Sequence, residues 1–352
     1  MSATDACCQQ LATALHHSRG QSALWIADES PIDEATWQQL VQAGVSFASN
    51  RYNQVAEAER RGLKASFCDF DLKPAPGRSW DAIYFRIAKE KAVCHKVVNE
   101  AAQWLAPGGT LWLAGLKQEG MKSLLNKAAN YFGMAPRMHR ADHKVLLAQL
   151  MLGRAGEPLD DQNYGQLRQV ETGPGQYFWS KPGLFGWQRV DRGSEFMVQE
   201  LSHLSLSGRS VLDLGCGYGY LSASAAQLGA ARICATDNCA AALAACERNL
   251  EPFAPAVPAQ VVASDCAEEI AQKFDLVICN PPFHSGFSTG PQLHRRFLQS
   301  IRDHMAPGAE AWVVVNQFIR LEQLAGECGL QQLTRQRDGD NRFDLYRFAL
   351  IQ

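Results

Sequence analysis

Seven residues, Asp213-Leu-Gly-Cys-Gly-Tyr-Gly219, follow the apolar run Arg209-Ser-Val-Leu212. Five others, Asn280-Pro-Pro-Phe-His284, follow Phe274-Asp-Leu-Val-Ile-Cys279. Each group stands where a buried strand ends. Gly215, Gly217 and Gly219 let the backbone turn sharply and approach a ligand without a Cβ in the way. A dinucleotide loop would space its glycines as Gly-x-Gly-x-x-Gly. Here they alternate, with Cys216 between the first two, and Tyr220 takes the last place. Asp213, ahead of them, suits a cationic ammonium or a water and would repel a phosphate. Asp237 ends the next strand, where a carboxylate can accept both ribose hydroxyls. Asp265 ends the third, where it can accept from an adenine amino group. One such Asp is an ordinary helix cap; three at consecutive strand ends form a pattern.

The second group suits an aromatic exocyclic amine. Such a nitrogen is a poor nucleophile, because its lone pair is delocalised into the ring. The Asn280 side-chain oxygen and the Pro281 carbonyl can each accept one amine hydrogen and draw the nitrogen toward tetrahedral geometry. This is positioning and electrostatics. Pro281 and Pro282 fix φ and remove competing N–H groups. Phe283 offers a face on which a flipped base can stack. His284 suits substrate or the loop backbone, and Arg295 and Arg296 suit substrate phosphates. Together the two groups describe a site that binds S-adenosylmethionine and methylates a planar amine.

The elements that must position them alternate. Strands are predicted at 211–214, 231–237, 260–265, 274–279 and 311–316, with helices at 220–228, 240–250, 293–304 and 321–328. Two strand-like runs around the turn Asp338-Gly339-Asp340 close the chain. This is an α/β pattern with a mostly parallel sheet covered on both faces and an antiparallel edge hairpin. The first half echoes it. Ala23–Asp28 reads as a first strand, Trp80–Phe85 parallels Phe274–Cys279, and an Ala-Pro-Gly turn precedes an apolar strand in both halves (Ala106-Pro-Gly108 and Ala306-Pro-Gly308). An internal duplication follows. The first copy has Asp28-Glu-Ser-Pro-Ile32 and Arg86-Ile-Ala-Lys89 in place of the two chemical groups, so it is not expected to hold the cofactor. The expected domains are 1–160 and 161–352, with the Gly- and Pro-containing segment from Gly153 to Gly193 carrying the boundary. Gly183–Gly193 suits a flap over the cofactor or a linker, with Asp191 or Ser194 capping the following helix.

Composition bounds the reading. The 352 residues are 46% hydrophobic and 20% charged, as in soluble globular proteins. No apolar stretch is long enough to span a bilayer and no signal peptide is evident, so a cytoplasmic protein without a membrane partner is expected. Eleven cysteines without framework spacing are expected as reduced thiols, and the lack of a CxxC pair argues against a metal site. Net charge is −2, but Arg86 to Lys144 holds ten basic residues against four acidic ones. That excess suits either solvated helix faces or a phosphate-facing surface.

On these motifs, with Lys181-Pro-Gly-Leu-Phe185 and Val190-Asp191, the chain resembles the bacterial ribosomal RNA guanine-N2 methyltransferases, most closely the small-subunit RsmC family. The resemblance covers nearly the whole length and is strongest from Pro182 to Tyr346. It implies two tandem Rossmann-like class I methyltransferase domains with seven-stranded sheets. It further implies a catalytic C-terminal copy and an N-terminal copy that supports folding and holds RNA. Cofactor contacts carry over onto Asp213, Gly215, Gly217, Asp237 and Asp265, and the amine contact onto Asn280. The implied function is methylation of a guanine N2 in 16S ribosomal RNA by a monomer acting on the small subunit. One departure stands out: Phe185-Gly-Trp-Gln replaces the family's frequent Phe-Ser. The alternatives are a large-subunit (23S) guanine-N2 enzyme, an adenine-N6 or glutamine-N5 methyltransferase, and a non-enzymatic RNA-binding assembly factor.

Overall fold

The structure, a computed structural model, describes residues 4–18, 20–72, 79–142, 144–154, 156–173, 176–253, 255–282 and 291–351. It divides into two compact units, Met1–Gln166 and Leu167–Gln352. The first contains strands β1 (Ala23–Ala27), β2 (Ser46–Ser49), β3 (Ala65–Phe67), β4 (Trp80–Arg86), β5 (Leu105–Leu116), β6 (Arg137–His139) and β7 (Val145–Met151). Its helices are α1 (Ala6–Thr13), α2 (Glu34–Ala43), α3 (Tyr52–Arg60), α4 (Lys91–Trp104) and α5 (Met121–Phe132). The second unit opens with a hairpin, β8 (Arg168–Gly173) and β9 (Gln176–Ser180). Its main strands are β10 (Ser210–Leu214), β11 (Arg232–Asp237), β12 (Ala259–Ala263), β13 (Phe274–Cys279), β14 (Met305–Asn316), β15 (Leu330–Arg337) and β16 (Phe343–Leu350). Its helices are α6 (Arg192–Leu201), α7 (Tyr220–Gln227), α8 (Ala240–Leu250), α9 (Pro291–His304) and α10 (Glu322–Glu327).

Both units build the same seven-stranded sheet. The orders are β3-β2-β1-β4-β5-β7-β6 and β12-β11-β10-β13-β14-β16-β15. Five strands run parallel and the closing hairpin is antiparallel. The copies agree in detail. The pairing Trp80↔Leu105 jumps to Ala82↔Thr110, and Phe274↔Met305 jumps to Leu276↔Glu310. Asp81 accepts from the Ser22 amide at 2.9 Å, and Asp275 accepts from the Ser210 amide at 2.8 Å. The extra residues that produce the register jump are those of the Ala-Pro-Gly turn recognised in both halves.

The strands of the second unit alternate between two cores, as a two-residue side-chain period requires. Leu212, Val277 and Cys279 pack with Leu298 and Ile301 of α9 on one face. Val211, Leu276 and Ile278 pack with Met197 and Leu201 of α6 and Leu221 of α7 on the other. The same period carries Asp213 to the α7 side and Asn280, just beyond β13, to the α6 side. In an open sheet of this kind the ligand crevice lies outside the strand ends where the order reverses, here between β10 and β13.

Several features were absent from the sequence reading. The boundary segment holds the β8–β9 hairpin, and Asp265 lies two residues past the end of β12 rather than on it; the helix expected after the Asp191 cap is α6. No described helix is long and apolar enough to cross a membrane.

The first copy shows what became of its strand ends. Arg86 takes the place of Asn280 and is buried, bridging Asp5 at 3.1 Å and Glu119 at 2.8 Å. Removing one partner of a buried ion pair leaves the others uncompensated. Arg86→Met is therefore expected to lower the unfolding free energy by about 3 kcal/mol, measured by urea titration.

Candidate functional site

The glycine loop leaves β10 and turns back toward β11. The amides of Gly215 and Cys216 both donate to the Thr236 carbonyl, each at 2.9 Å. Gly217 and Gly219 have positive φ, +54° and +87°. The two glycines serve different ends. A Cβ on Gly219 would lie 2.7 Å from Cys246 Sγ, so this glycine lets α8 pack directly against the loop. A Cβ on Gly217 would meet nothing within 4 Å, so its face is open to a ligand.

Asp237, at the end of β11, stiffens that loop. Its Oδ2 accepts from the Gly217 amide at 3.0 Å and its Oδ1 from the Cys239 amide at 2.8 Å. Asp213 is wholly buried. Its Oδ2 accepts from Ser222 Oγ at 2.6 Å, whereas Oδ1 is buried without a hydrogen-bond partner among the described residues. Burial pushes the Asp213 carboxyl up to about 7, against the pull of the Ser222 hydrogen bonds. Cys216 is also buried, and its thiol is pushed well up, first by its hydrogen bond with Cys246 and then by burial.

Asn280 is held through its nitrogen. Nδ2 donates to Asp191 Oδ2 and to Ser194 Oγ, both at 2.8 Å. Asp191 is the N-cap of α6, and the same Oδ2 accepts from the Ser194 amide at 3.0 Å. Asn280 Oδ1 is buried and has no hydrogen-bond partner among the described residues. Pro281 is buried and Pro282 exposed. Phe283 and His284 lie outside the described residues. The site therefore presents two buried acceptor oxygens at neighbouring strand ends, one on a carboxyl and one on an amide.

Other expected residues have protein partners. Arg296 pairs with Asp265 and with Glu268, both at 2.8 Å, and Arg295 pairs with Glu327 at 2.5 Å. Asp265 and Arg296, expected on cofactor and substrate respectively, are thus brought to each other. Arg335 and Arg337 converge on buried Asp344, and Arg347 pairs with Glu310. Among the described residues no group of three or more His, Cys, Asp or Glu is arranged to hold a metal ion.

Two further positioning residues escaped the sequence reading. Asn249 of α8 bridges β9 and the glycine loop, accepting from the Trp179 amide at 2.7 Å and donating to the Trp179 and Tyr218 carbonyls at 2.9 and 2.7 Å. Ser222 on α7 had no signal beyond its place nine residues after Asp213. The segment expected as a flap packs Leu184 against Tyr218 and Ala242 and leads into the Asp191 cap.

Comparison with known proteins adds the following. Residues 175–347 match the family model "Methyltransferase small domain", and residues 21–158 match "Methyltransferase small domain N-terminal". The chain is 33% identical over 286 residues to ribosomal RNA small subunit methyltransferase C of Shewanella oneidensis, covering 80% of each. It is 31% identical over 263 residues to the protein of that name from Pseudomonas fluorescens, covering 73% of this chain and 77% of that one. Among solved structures it is similar to the T. thermophilus 16S rRNA N2 methyltransferase (RsmC) in complex with AdoMet and guanosine. That match has a TM-score of 0.83 at 23% identity and covers 99% of this chain and 93% of that one, which establishes the shared two-domain fold.

The raised Asp213 carboxyl has a consequence for stability. The folded chain retains a proton up to about pH 7 that the unfolded chain releases near its ordinary pKa of about 4. The stability contribution is therefore largest below about pH 4 and falls as pH rises to about 7, by at most about 1.4 kcal/mol per pH unit. Asp213→Asn is expected to remove that fall. Urea unfolding of both proteins between pH 5 and 8 checks it: parallel curves would mean that Asp213 does not titrate in this window.

Proposed function

The chain belongs to the ribosomal RNA small subunit methyltransferase C family, and on that premise we propose that it is an S-adenosylmethionine-dependent enzyme that methylates the exocyclic N2 amine of a guanine in 16S ribosomal RNA. It acts as a monomer in the cytoplasm, on RNA within the small subunit. The observation that carries the reaction is Asn280 Oδ1, a buried acceptor at the end of β13 with no hydrogen-bond partner among the described residues. A chain freed from catalysis would have no reason to retain such an atom.

The residues present fit the cofactor. Gly217 leaves an open cradle beside the loop, and the partnerless Asp213 Oδ1 suits the cofactor's cationic ammonium, which would favour the ionised carboxylate. Asp237 holds the Gly217 and Cys239 amides and is the candidate acceptor for the ribose hydroxyls. Asp265 is the candidate partner of the adenine amine. When bound, the cofactor supplies an electrophilic methyl group on a sulfonium.

The rest of the mechanism lies in the chain's own residues. Asn280 Oδ1 accepts one hydrogen of the guanine N2 amine and the Pro281 carbonyl accepts the other. The nitrogen's lone pair is thereby drawn out of the ring and becomes available for attack. One of the two amine protons leaves once the methylated nitrogen is cationic, so no strong base is needed. Burial strengthens both hydrogen bonds relative to water. Phe283 and His284 follow in the chain and are proposed to contact the base.

The first copy supports a role in holding RNA. Arg86, Lys89 and Lys96 are in ion pairs. Among the described residues, Lys91, Lys117, Lys122, Lys127, Arg137 and Arg140 are exposed and make none, so they are available to phosphates.

The test is incubation with tritiated S-adenosylmethionine and unmodified small or large subunits, followed by identification of the labelled nucleoside. N2-methylguanosine from the small subunit alone is expected; label in N6-methyladenosine, or in neither RNA, would overturn the reading. Asn280→Ala is expected to retain cofactor binding and lose about 100-fold or more in turnover. Asp237→Ala is expected to weaken cofactor binding about tenfold, measured by calorimetry.

A further inference from the structure

We propose that Asp191 is a positioning residue for methyl transfer: its carboxylate fixes which end of the Asn280 amide faces the substrate amine. The proposal rests on the reading of Asn280 given above and extends it to a residue 89 positions away in sequence.

An asparagine amide has two ends of nearly equal size and opposite hydrogen-bonding character. Sterics alone do not choose between them, so the partners must. Asn280 Nδ2 has two acceptors, Asp191 Oδ2 and Ser194 Oγ, each at 2.8 Å. A serine hydroxyl both donates and accepts, and it would tolerate either orientation. An ionised carboxylate only accepts. Asp191 is therefore the group that discriminates. Turning the amide over would set the Asn280 oxygen against the Asp191 oxygen, two acceptors face to face. It would also present an NH2 to the substrate amine, so that two donors would meet and nothing would draw out the lone pair. The charge-assisted hydrogen bond further polarises the amide and makes Oδ1 the better acceptor.

The local packing keeps this contact clear. A Cβ on Gly193, the second residue of α6, would lie 3.0 Å from Asp191 Oδ2 and 2.9 Å from the Phe343 ring. The duplicated copy provides an internal comparison. There Asp5 caps α1 by accepting from the Cys8 amide at 2.8 Å, and the same carboxylate pairs with Arg86 at the end of β4. A helix-capping Asp that reaches the end of the fourth strand thus belongs to the scaffold in both copies. In the first copy it is fully answered by a guanidinium. In the second it meets an amide and leaves that amide's oxygen without a partner.

Capping and positioning can be separated by substitution. Asp191→Ser keeps a good N-cap and removes the carboxylate. Asn280→Asp sets two carboxylates against each other. Asp191→Asn combined with Asn280→Asp restores the hydrogen bond with donor and acceptor exchanged, and frees one carboxylate oxygen to accept from the amine. The full-length proteins would be assayed with unmodified small subunits and tritiated S-adenosylmethionine. Cofactor Kd by calorimetry and Tm would be measured alongside. Asp191→Ser is expected to lower kcat about 30-fold while cofactor Kd stays within about threefold and Tm within a few degrees. The exchanged pair is expected to turn over at least about tenfold faster than Asn280→Asp alone.

The proposal is overturned if Asp191→Ser keeps kcat within about threefold, if its loss of turnover is matched by a loss of cofactor affinity and Tm, or if the exchanged pair is no faster than Asn280→Asp. These outcomes leave the methyltransferase reading standing. Failure of the unaltered chain to label guanine N2 would instead overturn that reading, and this proposal with it.

Discussion

A polar atom buried without a partner costs about 1–3 kcal/mol, and folded chains keep few of them. Among the described residues the second unit keeps two at the adjoining ends of β10 and β13, Asp213 Oδ1 and Asn280 Oδ1. Much of the surrounding structure holds these two atoms where they are. Paired strands β10 and β13 fix their backbones, with Asp213 in register with Ile278. Ser222 on α7 anchors the other oxygen of Asp213, and Asp191 and Ser194 on α6 anchor the nitrogen of Asn280. Each side chain is tied down at one end so that the other is presented in a defined direction. Such preorganisation is worth most where charge develops during a reaction, because no reorganisation is then required.

The duplication shows that the scaffold and the site are separable. Sheet order, the irregular pairing at the Ala-Pro-Gly turn, and a capping Asp that reaches the end of the fourth strand occur in both copies. The strand ends differ. The sequence alignment of Asp28 with Asp213 is corrected by the register: Trp25, opposite Tyr84, takes the position of Asp213, opposite Ile278. Asp28 lies three residues further on, buried, with its carboxyl pushed up to about 6 by burial and by Glu29. Arg86 fills the position corresponding to Asn280 and satisfies the acidic groups around it. A guanidinium has five donors and no acceptor, so it cannot perform the task assigned to the Asn280 oxygen. Exchanging one amide for one cation turns a presenting site into a closed ion-pair network.

Charge on the two units follows the same division. In the second unit the two arginines expected near substrate are answered by acids, Arg295 by Glu327 and Arg296 by Asp265 and Glu268, and Arg335 and Arg337 are answered by Asp344. In the first, much of the basic excess between Arg86 and Lys144 stands exposed without ion pairs among the described residues. Local composition pointed to that excess. Which cations are neutralised depended on contacts between residues distant in sequence, such as Arg296 with Asp265.

Local rules made much of the second unit legible in advance. The predicted strand at 274–279 and helix at 240–250 agree with β13 and α8, because apolar periodicity and flanking turns are properties of short segments. The glycine spacing named the loop, and the Asn-Pro-Pro group pointed to amine chemistry at the end of β13. The β8–β9 hairpin was not legible, because its Gly and Pro residues read as a boundary. What decided the site's geometry was also out of reach. That Asn280 is gripped by its nitrogen depends on Asp191, and that the glycine loop is tied to α8 and β9 depends on Asn249. Sequence by itself determined which chemical groups stand at the strand ends, since residue type and short-range period are written there. Only the tertiary structure decided which atom of each group is left without a partner among the described residues, because a hydrogen bond between residues far apart in the chain leaves no mark on local spacing.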